Sequence, residues 1–192
     1  MKLALFDFDG TLTTKDSLEE FIIFGVGKPT YYLKLLLFSP IYVLYRLKLL
    51  HNSKAKEMLL SLYFKGVSES SLRETALNFS TTGITPMLRE NIYEKFRQHI
   101  ENGDRVVVVS ASMKCWLKPW TDKEGVELLS TELEFKDGVF SGHFKTKNCY
   151  GIEKLNRVKE LLNLDDYEEV YTYGDSSGDD YILAVADHKV KL

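Results

Sequence analysis

Short apolar runs recur along the chain, and each is followed by small or polar residues. Leu3, Ala4, Leu5 and Phe6 form the first run, and the four valines at 106–109 form another. Runs of this kind are typical of strands buried on both faces of a parallel sheet. The stretch 169–173, rich in β-branched and aromatic residues, predicts a third such strand, and 127–130 is a further candidate. The pattern therefore predicts an α/β protein built on a parallel sheet.

Helical signals fill the stretches between these strands. Asp16 or Ser17 can cap a first helix, because acidic residues follow in its first turn. The alternation of residues around Asp137-Gly138 predicts a β-hairpin over 133–144. Further helices are predicted over 54–64, 68–80, 85–102, 113–125 and 149–162. Pro119 should end or bend the fourth of these. A helix end and an edge strand are predicted over 184–192.

The segment 28–50 is the most apolar part of the predicted helical region. Its uncharged centre, 35–45, is eleven residues long and is broken by Pro40. At helical rise it reaches about 16 Å, roughly half of a bilayer core, and is too short to cross a membrane alone. Its tyrosines and basic flanks suit a helix pair lying in a membrane interface. A helical hairpin buried in the protein or in a dimer fits the same pattern, and both alternatives stay open.

Positive charge is concentrated in the same region. The chain has a net charge of −3, yet no acidic residue lies between Glu20 and Glu57. This segment therefore has an electrostatic character of its own. The six basic residues within it are Lys28, Lys34, Arg46, Lys48, Lys54 and Lys56.

The composition suits one core domain with a large insertion, or two small domains. Hydrophobic residues make up 44% of the 192 positions, which is enough for a substantial core. Cys115 and Cys149 lack metal-ligand spacing and indicate reduced thiols of a cytoplasmic protein. Asp7 and Asp9 interrupt the apolar start, so we expect no signal peptide.

Two carboxylates, Asp7 and Asp9, follow the first predicted strand. The alternation of a strand directs both to the same side, while Phe8 between them turns into the core. The carboxyl end of a buried strand is where open α/β sheets place their ligands. Two acids this close repel each other unless a cation neutralises them, and Mg²⁺ suits carboxylate oxygens. Gly10 permits a sharp exit from the strand.

Three later segments carry candidate chemistry. Ser110 follows the valine strand, where a hydroxyl beside backbone N–H groups can hold a phosphate oxygen. Lys154 lies near the start of a predicted helix, where its charge is unfavourable unless an anion is close. The loop 174–180 presents Asp175 and Asp179 after another buried strand.

These segments together resemble the haloacid dehalogenase-like superfamily. Asp7-Phe8-Asp9-Gly10-Thr11-Leu12 is similar to its first motif, Ser110 to its second, Lys154 to its third, and Gly174-Asp175-Ser176 with Asp179 to its fourth. All four occur in order across nearly the whole chain. The resemblance implies a Rossmann-like three-layer core from 1–12 and 81–192. It also implies an inserted all-helical cap over 13–80, as in the phosphoserine phosphatase-like branch.

The resemblance implies an Mg²⁺-dependent phosphatase that hydrolyses a phosphate monoester through an aspartyl-phosphate. Asp7 would be the nucleophile and Asp9 the acid and base, an acid that dehalogenases of the superfamily generally lack. The implied metal ligands are Asp7, the Asp9 carbonyl, Asp175 and Asp179. The residues implied to hold or orient the phosphate are Thr11, Ser110, Ala111 and Lys154.

The implied substrate is a phosphorylated small molecule or a lipid phosphate, with no nucleic-acid partner. Asp16 occupies the place of an acid that meets the amino group of phosphoserine, but no cap arginine for its carboxylate is evident. The basic, tyrosine-rich segment resembles the cap of a bacterial phosphatidylglycerophosphate phosphatase of the same subfamily. A lipid phosphate and peripheral contact of 28–56 with an anionic membrane at the cytoplasmic face would follow. The oligomeric state is open.

Three other functions fit parts of the same pattern. A soluble small-metabolite phosphatase would share the chemistry but ignore lipid vesicles. A phosphomutase would need a bisphosphate activator and would release little free phosphate. A non-catalytic membrane-binding protein would bind lipid without turnover, although the set of Asp7, Asp9, Lys154 and Asp175 argues against it.

Overall fold

The computed structural model describes all 192 residues, Met1–Leu192, and contains seven strands and eight α-helices. The strands are β1 Leu3–Phe6, β2 Arg105–Met113, β3 Glu127–Thr131, β4 Leu133–Lys136, β5 Val139–Phe144, β6 Val170–Gly174 and β7 His188–Lys191. The helices are α1 Ser17–Val26, α2 Lys28–Arg46, α3 Asn52–Phe64, α4 Glu69–Thr82, α5 Glu90–Glu101, α6 Lys114–Glu124, α7 Ile152–Leu161 and α8 Asp180–Ala184.

Five strands form one parallel sheet in the order β3-β2-β1-β6-β7. The first strand is central, with Leu3 opposite Arg105 on one side and Val170 on the other. The remaining two strands pair as the predicted hairpin. All four residues of β1 are buried, as the unbroken apolar run predicts. The predicted α/β, Rossmann-like three-layer fold is confirmed.

Each face of the sheet has its own apolar core. Successive residues of β1 alternate between them, so that Ala4 and Phe6 pack on one side and Leu3 and Leu5 on the other. The first core includes α5 and α6, and the second includes α7 and α8. This arrangement brings the carboxyl ends of β1, β2 and β6 to one edge.

The helices of 13–80 are joined to the first of these cores. Phe21 of α1 stacks on Trp116 of α6 with ring centroids 4.3 Å apart, and Phe79 of α4 meets Phe21 edge-on. Because these contacts are apolar and buried, α1 and α4 form a continuous packed body with the sheet. α2 and α3 lie further out and pack against each other.

α2 is one helix, not the broken pair expected from Pro40. Proline supplies no N–H, so the Leu36 carbonyl one turn earlier loses its backbone partner. Ser39 Oγ donates a hydrogen bond to that carbonyl over 2.7 Å and replaces it. By length and composition, no single helix could span a membrane, and only the pair α1 and α2, bent by 119°, could do so together.

Three other boundaries differ from the predictions. The helix expected over 85–102 is a single turn followed by α5, because Leu88 pairs with Thr13 and the intervening backbone is extended. β2 continues to Met113, with its pairing to β3 shifted after Ser110. α6 runs through Pro119 without ending, since buried Trp116, Leu117 and Trp120 anchor both of its halves.

Candidate active site

Asp7 and Asp9 lie directly after the central strand, at the carboxyl edge of the sheet. Phe8 between them is fully buried, as the strand alternation predicts. Gly10 turns the chain with φ of +80°, and a Cβ there would lie 2.2 Å from Asp175 Oδ2. Glycine is therefore required for the first loop to approach the loop after β6.

Lys154, in the first turn of α7, holds the carboxylate of Asp7. Lys154 Nζ donates hydrogen bonds to Asp7 Oδ1 and, over 2.6 Å, to Asp179 Oδ1. The lysine is only 2% exposed. Burial by itself would lower its pKa, but the two carboxylates raise it, so the ammonium stays charged. Thr11 Oγ1 donates a further hydrogen bond to Asp7 Oδ2 over 3.2 Å.

The loop after β6 fixes Asp179. Its Oδ2 accepts hydrogen bonds from the N–H and Oγ of Ser176 over 3.1 and 3.0 Å, and from the Asp175 N–H over 3.3 Å. A Cβ at Gly174 would lie 2.6 Å from the Asp179 Cβ. The small residue at this position thus allows the carboxylate to fold back against the end of the strand.

Asp7, Asp175 and Asp179 together form a cluster of carboxylates. Each offers one oxygen, and the three oxygens lie within 4.8 Å of one another. Asp7 and Asp179 are buried, and Lys154 is the basic residue that pairs with them. Three hard oxygen donors with one compensating positive charge fit a divalent cation such as Mg²⁺.

The carboxylate of Asp9 is held by a separate set of partners. Its Oδ1 accepts from the Ser17 N–H over 2.7 Å, and its Oδ2 accepts from Ser112 Oγ over 2.5 Å. Ser17 Oγ donates to Ser112 Oγ over 3.0 Å and accepts from Trp116 Nε1 over 3.2 Å. A chain of hydrogen bonds thus connects the core of the protein to Asp9 and fixes its orientation.

Burial raises the pKa values of both Asp7 and Asp9. Lys154 opposes the rise at Asp7. At Asp9 the charge of Asp16 adds to the rise, and the hydrogen bond from Ser112 opposes it. A raised pKa keeps a carboxyl group protonated closer to neutral pH, which is what a general acid requires.

Ser110 and Ala111 lie in the irregular end of β2, next to this network. Ser110 is buried, and its Oγ accepts a hydrogen bond from the Ser112 N–H over 3.0 Å. The Ala111 carbonyl accepts from Lys56 Nζ over 3.1 Å and from Thr131 Oγ1 over 3.2 Å. The lysine contact ties α3 to the end of the strand. A role of Ser110 and Ala111 toward phosphate stays a prediction.

Asp16 is the N-cap of α1, one of the two alternatives expected from the sequence. Its Oδ1 accepts hydrogen bonds from the N–H groups of Leu18 and Glu19 over 2.8 and 3.4 Å. The side chain also lines a cavity between the first three helices. Its role in substrate specificity stays a prediction.

Two residues that position the site were missed in the sequence. Arg89 donates to the carbonyls of Gly10 and Thr11 over 2.9 and 3.2 Å and so supports the loop that follows β1. No spacing rule connects an arginine that far along the chain to this loop. Ser112 could have been found from the sequence, because it is two residues from Ser110 and side chains with this spacing can share one side of a strand.

Similarity to known proteins extends over nearly the whole chain. A family model described as haloacid dehalogenase-like hydrolase matches residues 4–183. Protein CicA of Caulobacter vibrioides is 31% identical over 189 residues, which cover 97% of this chain and 84% of CicA.

Solved structures resemble this chain over its full length. A Bordetella pertussis Tohama I protein of unknown function superimposes with a TM-score of 0.84 at 26% identity, covering 99% of this chain and 89% of that one. A phospho-aspartyl intermediate analogue of phosphoserine phosphatase gives a TM-score of 0.69 at 17% identity. A substrate-bound phosphoserine phosphatase gives 0.64 at 20%. Both of these cover 99% of this chain and 85% of their own, and they share its fold.

Proposed function

The chain belongs to the haloacid dehalogenase-like hydrolase family, and we propose that it is an Mg²⁺-dependent phosphatase that hydrolyses a phosphate monoester through an aspartyl-phosphate. One observation carries this proposal: Asp7 lies in the carboxylate cluster with Lys154, while Asp9 is held apart from it by Ser112 and Ser17. A nucleophile and a separate proton carrier are what a two-step ester hydrolysis needs.

Asp7 attacks first in this mechanism. A bond forms between its carboxylate oxygen and phosphorus, and the bond from phosphorus to the ester oxygen breaks. Asp9 gives its proton to that oxygen, which leaves as a neutral alcohol. The ionised Asp9 then takes a proton from water as the water oxygen attacks phosphorus. The bond from Asp7 to phosphorus breaks, phosphate is released, and both acids return to their starting states.

The surrounding residues stabilise negative charge on the phosphoryl group. Lys154, the buried cation nearest to the nucleophile, would hold the phosphoryl oxygens together with Ser110 and Ala111, and Thr11 would orient the loop. Mg²⁺, when bound, would neutralise charge on the phosphoryl oxygens. The residues proposed to hold it are Asp7, Asp175 and Asp179, with the carbonyl of Asp9. The helices of 13–80 would act as the cap that selects the substrate.

Phosphate release in the presence and absence of metal tests the proposal. We expect hydrolysis of p-nitrophenyl phosphate with Mg²⁺, loss of activity on exhaustive chelation, and recovery when Mg²⁺ is returned. Ca²⁺ should inhibit, because its looser coordination does not impose in-line geometry. Full activity in chelator would contradict the metal requirement. An absence of release from every monoester in a panel that includes phosphoserine would contradict the activity itself.

A finer proposal concerns the outward face of α2. Six apolar residues follow helical spacing there and are between 44% and 70% exposed. This outer stripe is about 21 Å long, and contiguous exposed apolar patches are typical of surfaces that contact proteins or membranes. Its residues are Leu33, Leu36, Leu37, Val43 and Leu44 of α2 and Leu47, the C-cap residue directly after it.

The charges around the outer stripe indicate an anionic partner surface. Lys28, Arg46 and Lys48 are exposed, and none of them pairs with an acid. The other three basic residues of the segment are engaged: Lys34 donates to the Leu62 carbonyl over 2.9 Å, Lys54 pairs with Glu57, and Lys56 binds Ala111. We propose that this face contacts an anionic membrane and that the substrate is a lipid phosphate.

Vesicle co-sedimentation tests the membrane contact. Each exposed base near an anionic surface contributes about 1 kcal/mol, so the protein should bind anionic vesicles at low salt and dissociate as salt rises. Lys28→Glu, Arg46→Glu and Lys48→Glu combined should abolish binding.

A matched control reverses three exposed charges elsewhere, Lys95→Glu, Lys123→Glu and Lys159→Glu, and should still bind. Melting temperatures of both proteins report that the fold is kept. Wild-type protein that stays in the supernatant with anionic vesicles at low salt would favour the soluble small-metabolite phosphatase instead.

A further inference from the structure

A cavity of about 600 Å³ lies between α1, α2 and α3 and is not used by the chemistry described above. Eight of the thirteen residues that line it are hydrophobic. Cavities of this size and character hold ligands about as large as a drug molecule. Its longest wall is the inner stripe of α2, formed by Tyr31, Leu35, Phe38, Tyr42 and Tyr45.

The inner and outer stripes make α2 apolar on two opposite sides. A soluble helix with one apolar stripe buries it against the core. Here the inner stripe is only partly covered by other side chains, because the cavity separates it from Ala55 and Leu59 of α3. An apolar space with few packing partners loses dispersion contacts that an apolar ligand would restore.

The polar end of the cavity adjoins the catalytic network. Asp16 lines it, and the next residue, Ser17, donates its N–H to Asp9. Lys56 lines it as well and donates to the carbonyl of Ala111. One end of the cavity is therefore next in sequence to Ser17, the residue that binds Asp9, and the cavity extends from there along α2.

The charges at this end disfavour an anionic occupant. Asp16 and Glu19 both line the cavity against a single basic residue, Lys56. The lining therefore carries a net negative charge, which would repel a second phosphate or carboxylate on the leaving group. An uncharged apolar chain fits the lining without such a penalty.

We propose that this cavity binds the apolar chain of the alcohol that is released, so that the enzyme acts on phosphate monoesters of alcohols bearing an apolar chain. The inference rests on the proposed phosphatase activity. It assigns the inner stripe, with Ala55 and Leu59, to substrate specificity.

A chain-length series tests it with soluble substrates and no vesicles. Ethyl, butyl and octyl phosphate, each below the concentration at which it aggregates, are compared by kcat/KM in Mg²⁺. Every methylene moved from water into the cavity favours binding, so octyl phosphate should exceed ethyl phosphate by about tenfold or more. Leu35→Trp and Ala55→Phe, which fill the cavity from opposite walls, should each lower the octyl-to-ethyl ratio by about tenfold.

Leu77→Trp on the exposed face of α4 is the matched control and should keep the wild-type ratio. Equal kcat/KM for the three esters in the wild-type protein would overturn the inference and leave the phosphatase proposal standing. An unchanged ratio in both folded cavity variants would also overturn it. No release from any of the three esters would remove the inference and the proposed activity together.

Discussion

Asp7→Asn is expected to reduce the hydrolysis of p-nitrophenyl phosphate by several orders of magnitude while the protein stays folded. The amide keeps the shape of the carboxylate but cannot attack phosphorus. Burial raises the pKa of Asp7 and so already disfavours its charge, which means that a neutral side chain of the same size fits the site. The measurement is kcat at saturating Mg²⁺, together with a thermal melt.

Asp165→Asn is the matched control, because this aspartate is exposed and is not part of the carboxylate cluster. It should keep wild-type activity. If Asp7→Asn retains more than about a tenth of wild-type kcat, the change in barrier is under about 1.4 kcal/mol, and Asp7 is not the nucleophile.

The second large effect that we expect is the loss of kcat/KM in Lys154→Met. Loss of a buried, preorganised cation should lower kcat/KM by about 10² to 10³. The variant also leaves Asp7 and Asp179 without their shared counter-charge, which destabilises the metal-free fold. Added Mg²⁺ should therefore raise the melting temperature of the variant more than that of the wild type.

Lys159→Met, on the exposed side of the same helix, controls for the loss of a lysine from α7. It should change neither activity nor the response of the melting temperature to Mg²⁺. A Lys154→Met protein with wild-type kcat/KM would show that the lysine does not act on the phosphoryl group. An equal Mg²⁺ shift in both proteins would show that it does not balance the carboxylate cluster.

The sheet and the carboxylate cluster were predictable because local sequence determines both. An apolar run such as Leu3–Phe6 has few alternatives to a buried strand, and parallel strands end at a common edge. The ends of these strands are followed or faced by Asp7, Lys154 and Asp175. Their proximity can therefore be predicted without knowing how the rest of the protein packs. The residues of the first, third and fourth motifs do meet in the structure, and their catalytic roles stay predictions.

The supporting contacts were not predictable, because they depend on long-range geometry. Arg89 binds a loop that is distant in sequence, and no periodicity reports that contact. The same holds for Lys34 and Lys56, which the charge pattern groups with surface bases but which bind the backbone carbonyls of Leu62 and Ala111. Pro40 was misleading for a related reason, since a single hydroxyl from Ser39 compensates for its missing donor.

The central place of β1 has a consequence for how the chain matures. β1 precedes the other six strands in the sequence, yet its neighbours in the sheet, β2 and β6, follow only after the helices of 13–80. On the ribosome it has no strand to pair with until β2 emerges, while the intervening helices can form through local contacts. Asp7 is thus synthesised long before Lys154, the residue that holds its carboxylate. A nascent chain that stops short of β6 also lacks Asp175 and Asp179, so the carboxylate cluster forms only after β6 has been translated.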